Sequence, residues 1–109
     1  MFITNTPTIE GEKIVQNLGL VRGNTVRARN AARDLFAVFR SIVGGEIDEY
    51  TKLMSQSRDE AIGRMIANAQ ELGADAIVNV RFMTAPVMQG AAEIMAYGTA
   101  VKLVSDDVV

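Results

Sequence analysis

The sequence predicts an α+β fold, a mainly antiparallel sheet with two helices on one face. Three observations point there. Lys13 to Val26 is rich in β-branched residues and alternates through Ile14, Gln16, Leu18 and Leu20, as an extended chain does. Two later stretches repeat apolar residues at helical spacing. From Ala76 onward the chain alternates again in two runs, split by a short connection containing proline and glycine. The order is strand, helix, helix, strand, strand.

Phe2 to Asn5 forms a short strand before the Thr6-Pro7-Thr8 turn. Lys13 to Val26 follows as one long irregular strand or a pair of short ones, with Gly19 and Gly23 marking a bulge or a close backbone approach. Ala32, Leu35, Phe36, Phe39, Ile42 and Val43 lie on one helical face, with Asn30 as N-cap and Gly44-Gly45 as the stop. From about Glu46, the stripe Ile47, Tyr50, Met54, Ala61, Met65, Ala69 and Leu72 predicts a second helix ending at Gly73. At 1.5 Å per residue it is about 40 Å long, with Ser55, Ser57 and Gly63 as its weak points. Ala76 to Thr84 predicts a strand with Ala76, Val78, Val80 and Phe82 on one face and Ile77, Asn79, Arg81 and Met83 on the other. Ala85 to Gly90 is the connection. The last strand, Ala91 to Leu103, turns Ala92, Ile94, Ala96, Gly98 and Ala100 to one face, small enough for close helix packing.

The opposite face of that sheet carries Ile77, Met83, Met95, Tyr97 and Val101 beside Arg81 and Glu93. It is too apolar for water and too polar for an ordinary core. Two layers leave it bare within one chain, so a second copy is the expected cover, and closed symmetric homo-oligomers are the usual way to supply one.

Composition excludes more than any motif suggests. The 109 residues, 49% hydrophobic and 22% charged, fit a single domain over 1–109, which buries about 65% of its unfolded surface without staples. There is no cysteine, which removes disulfides, thiolate metal sites, iron-sulfur clusters and thiol catalysis. There is no histidine either, which removes the usual general base and the commonest metal ligand. A net charge of -2 gives no general attraction to nucleic acid or anionic membrane. Charge is uneven, however: Arg22, Arg27, Arg29, Arg33 and Arg40 cluster against Asp34 alone. No apolar run approaches the roughly 20 residues of a membrane span, and the N-terminus lacks a signal pattern, so the expected address is the cytoplasm.

The candidate polar sites are few. A hairpin centred near Val87 sets Arg81 opposite Glu93 on one face, as an ion pair that fixes register or subunit contact, or as part of a ligand site. Tyr97 lies four residues on, as an interface aromatic with its hydroxyl bonded. Gly44-Gly45-Glu46 joins the helices, either as a C-cap with Glu46 complementing the helix dipole or as a backbone anion site. Arg22, Arg27 and Arg29 flank Gly23 and Asn24 without a phosphate-binding glycine loop or interleaved aromatics. For metals, Asp48, Glu49, Asp59, Glu60, Glu93, Asp106 and Asp107 offer hard oxygen ligands, and the six methionines read as core filling.

The ordered set Gly44-Gly45-Glu46 with Tyr50, then Arg58, Ala61 and Met65, then Leu72 to Ala76, Arg81, and Glu93 to Val101 closely resembles the YbjQ-like family of small bacterial proteins, also called UPF0145 or DUF74. The resemblance spans nearly the whole chain. It implies a subunit fold likened to dodecin and assembly into a ring, a pentamer in some members of the family. It also implies a heavy-metal-binding label, and this chain lacks every cysteine and histidine such a label leads one to expect. Dodecins bind flavin, but no aromatic pair here is placed to sandwich an isoalloxazine ring, so no cofactor is carried over.

Two functional readings result. One is a non-enzymatic homo-oligomer with a small-anion or metal site at subunit junctions, drawn from Gly44, Gly45, Glu46, Arg81, Glu93 and Tyr97. The other is an enzyme acting on a small anionic substrate at those junctions through Arg81, Glu93 and Tyr97.

Overall fold

The structure, a computed structural model, describes residues 1–27, 47–88 and 91–107. Strand β1 (Phe2–Ile3) is followed by β2 (Glu12–Arg27), helix α1 (Ile47–Glu71), β3 (Ala76–Met88) and β4 (Ala91–Ser105). The sheet order is β1-β3-β4-β2. β1 runs parallel to β3, and the other neighbours are antiparallel, so the sheet is mixed. The helix predicted over 32–43 and the corner Gly44-Gly45-Glu46 lie outside the described residues.

β2 is one long strand with irregularities between Ile14 and Gln16 and between Asn17 and Gly19, where Gly19 takes φ 107°. Gly23 answers a different need. It sits under α1, with the Ala61 carbonyl and the Met65 nitrogen where a side chain would stand. The helix lies that close because β4 also turns small residues toward it: Ala96 and Ala100 are fully buried with Met65, Ala61, Ala69 and Val21.

α1 is continuous past Ser55, Ser57 and Gly63, and it ends as its glycine predicts. Gly73 takes φ 75°, its N–H donates to the Gln70 carbonyl, and the Ala74 N–H donates to the Ala69 carbonyl. These are the paired bonds of a Schellman motif, and Ala74 packs back on the core. Polar residues one turn apart on the helix close the edge of β2. Asn68 accepts the outward Arg22 N–H at 3.2 Å, and Arg64, paired with Glu60 at 2.8 Å, donates to the Asn24 carbonyl.

β3 departs from the predicted alternation. Asn79 takes φ 54°, and the successive N–H groups of Asn79 and Val80 both point to the β1 side, to the Thr6 and Thr4 carbonyls at 3.0 Å. Two consecutive donors facing one edge mark a bulge, and it switches the pleat. Ile77 and Val80 therefore both join the core beneath α1. Ala76, Val78, Arg81 and Met83 share the other face with their partners Val101, Thr99, Tyr97 and Met95. Ile77 thus leaves the open face to which strict alternation assigned it, and Val80 and Phe82 leave the face of Ala76 and Val78.

β3 also runs to Met88, through the stretch expected to be the connection. The physical reason lies in Pro86. β1 ends at Ile3, so nothing among the described residues pairs with the outer edge of β3 beyond Val80. Val80 donates outward, so the alternation of the ladder turns Pro86 to the same side, where a missing N–H costs no bond.

Candidate functional site

The extended β3 resets the hairpin. Reversal occurs between Met88 and Ala91, and Arg81 stands opposite Tyr97, with Glu93 opposite Ala85. The expected Arg81–Glu93 pairing is therefore corrected: the two are four residues out of register, about 13 Å along the strands. Each has another partner. Glu93, half-buried, accepts a hydrogen bond from Asn24 Nδ2 at 2.8 Å. Arg81, exposed, donates through Nη1 to the Asn5 carbonyl at 2.8 Å and to the Val80 carbonyl at 3.0 Å.

What the register does assemble is a row across three strands on the face opposite α1. Tyr97 of β4 stands between Arg22 of β2 and Arg81 of β3, each of them its direct cross-strand partner. Asn24, Met95 and Met83 form the next row, followed by Val26, Glu93 and Ala85. Arg22 belonged to a predicted arginine cluster, but nothing in the sequence tied it to Tyr97. Only the pairing of β2 with β4 does so. Arg29 lies outside the described residues.

The two ends of this face differ. Near the start of β3, Ala76, Val78 and Val101 are buried under Ile9, Ile14 and Leu103. Toward the hairpin, Val26 is 52% exposed and Met83 43%, and Leu20, beside Thr99 at the β2 edge, is 69% exposed. Among the described residues nothing covers them. A face with two arginines, a tyrosine and several bare aliphatic side chains suits contact with another surface better than proton transfer.

The residues present do not fit a heavy-metal centre. Among the described residues no group of three or more aspartates or glutamates gathers, and the chain has neither thiolate nor imidazole to offer. No described helix is long and apolar enough to cross a membrane.

Comparison with known proteins places residues 1–104 on the YbjQ family model, whose description reads "Putative heavy-metal-binding". A UPF0145 protein of Dehalococcoides mccartyi is 57% identical over 101 residues, covering 93% of this chain and 97% of that protein. A UPF0145 protein of Methanosarcina acetivorans is 51% identical over 105 residues, covering 96% and 99%. The crystal structure of a DUF74 protein of unknown function from Pediococcus pentosaceus superimposes with a TM-score of 0.62 over 95% of this chain and 98% of that one. At 21% identity, that likeness is one of fold.

Proposed function

The chain belongs to the YbjQ-like (UPF0145) family, and from that premise we propose that it is a self-assembling, non-catalytic protein whose copies pack through the open face of the sheet. The ring of five implied by the family resemblance is the favoured arrangement. Its ligand site, for a small anion or a metal held by oxygen ligands, forms at the joints from Gly44, Gly45, Glu46, Arg81, Glu93 and Tyr97. The unit that assembles is one domain over 1–109, and its expected setting is the cytoplasm.

One observation carries this reading: among the described residues the sheet is covered by α1 on one side and leaves Leu20, Val26 and Met83 bare on the other. Fully burying such a side chain contributes about 1.5–3 kcal/mol, so a joint over this face gathers several favourable terms. Shape agrees. Over the described residues the Cα radius of gyration is 17.5 Å, with extents of 60 × 27 × 17 Å, whereas a compact 100-residue domain has a radius of about 13 Å. Assembly through the bare end of the sheet makes a compact body from elongated parts.

The enzymatic reading has less support. Arg81 and Tyr97 are cross-strand partners, but Glu93 stands four residues away from them along the strands, and its carboxylate is held by Asn24. Native mass spectrometry of protein purified without added metal tests the proposal. A closed oligomer, five copies by expectation, is the predicted result, and a monomer at micromolar concentration overturns it.

A further inference from the structure

We propose that the groove between β1, α1 and the free edge of β3 binds a small amphiphilic carboxylate, an alkyl or aryl acid lying body-inward with its headgroup on Arg81. The groove exists because β1 stops at Ile3 while β3 continues, so among the described residues no strand fills the β3 edge beside Ile62 of α1. It encloses about 480 Å³, within the usual span of small-molecule sites. Its walls are Ile3, Ile62, Val80 and Phe82, and Phe82 is left 47% exposed along it. An apolar body of a few carbons covers that surface.

Charge identifies the headgroup. Among the described residues no acidic residue lines the groove, and Arg81 is the one charged residue of its lining. Nη1 of Arg81 is tied to the Asn5 and Val80 carbonyls, which fixes the guanidinium in place. Nη2 and Nε make no hydrogen bond among the described residues, and these donors suit a carboxylate. A neutral lipid leaves them unused, and a cation meets a positive rim. Pro86 lies on the same β3 edge and withholds a ladder donor, so the edge is poorly suited to an added peptide strand.

The groove's apolar walls lie on the α1 side of β3, and Arg81 is the one residue it shares with the proposed joint, so the two proposals are told apart by outcomes that do not depend on Arg81 alone. The test is titration of the isotope-labelled full chain with octanoate, read by amide and Arg Nε–H shifts and by calorimetry, with 1-octanol as the uncharged control. Saturable shifts at Thr4, Ile62, Phe82 and Arg81 Nε–H are expected. Octanol binds about tenfold more weakly than octanoate, and Arg81→Met weakens octanoate by a similar factor, the loss of a charge-assisted hydrogen bond. Octanol binding as tightly as octanoate overturns the proposal without recourse to any variant. So does an absence of saturable shifts, or shifts centred on Leu20 and Met95. Native mass spectra of the same samples separate the two proposals. A monomer that binds octanoate defeats assembly alone, and an oligomer that ignores octanoate defeats this site alone.

Discussion

Gly23 of β2 lies directly beneath the carbonyl of Ala61 in α1, and a Cβ on Gly23 would overlap that oxygen together with the Met65 nitrogen. Both obstacles are backbone atoms of a hydrogen-bonded helix, so neither can swing aside as a side-chain tip would. Gly23→Ala is therefore expected to lift α1 off the sheet and lower stability by about 3 kcal/mol, the upper end for overpacking. Gly63, in the same helix, has no atom within 4 Å of its would-be Cβ. Gly63→Ala should raise stability by about 0.5–1 kcal/mol through helix propensity. Urea unfolding of the two variants, giving shifts of opposite sign, checks the helix placement.

Asn79 offers a second backbone test. Its φ of 54° switches the pleat so that Ile77 and Val80 both reach the core. Asn79→Gly adopts that conformation without steric cost and is expected to change stability by no more than about 0.5 kcal/mol. Asn79→Val brings a β-branched side chain into the left-handed region, at a cost of about 1–2 kcal/mol. Denaturant midpoints of the two variants decide the matter, and equal midpoints would mean that the bulge lies elsewhere.

That bulge also explains which parts of the architecture were legible in the sequence. Local signals held where local physics decides: the apolar stripe and Gly73 define α1 and its cap, and the small residues of β4 do face the helix. Gly23 read correctly as a close approach. Strict alternation failed at Asn79, because one left-handed residue reverses every later side chain while leaving the composition of the strand untouched. Pro86 misled for a tertiary reason. A proline ends a strand only where its N–H is needed, and the shortness of β1 is what frees that edge. The continuation through Pro86 alone moved the hairpin centre by two residues and broke the Arg81–Glu93 pairing, since the Asn79 bulge lies on the far side of Arg81 from the turn. The row Arg22, Tyr97, Arg81 depends on pairing between distant segments, and no local spacing announces it.

The open face makes the assembly proposal accessible to mutation. Leu20→Glu and Met83→Glu place charge on side chains that are 69% and 43% exposed in the single chain. Neither touches the α1 core, so the far-ultraviolet circular dichroism should be retained. If copies meet on this face, the double variant must desolvate two carboxylates to assemble, and it should run as a monomer by light scattering. An oligomer of unchanged mass would place the joint on another surface.

Metal binding is decided by the available donors. Zinc and copper sites rest on thiolate and imidazole, and the chain has neither, while its 13 carboxylates are strung out from Glu10 to Asp107 and, among the described residues, no three of them gather. Methionine sulfur alone is a weak anchor for all but the softest ions, and Met65 is fully buried in the core, beyond the reach of a hydrated ion. Protein purified without added metal should therefore carry zinc, copper and cadmium far below one atom per chain by elemental mass spectrometry. Thermal unfolding gives an independent reading. A ligand present at a hundred times its dissociation constant stabilises the folded state by about 2.7 kcal/mol, which in a domain of this size raises Tm by about 10 °C or more. Millimolar zinc or cadmium is expected to leave Tm in place, and an upward shift of that size that EDTA reverses would establish a site built from oxygen ligands between copies.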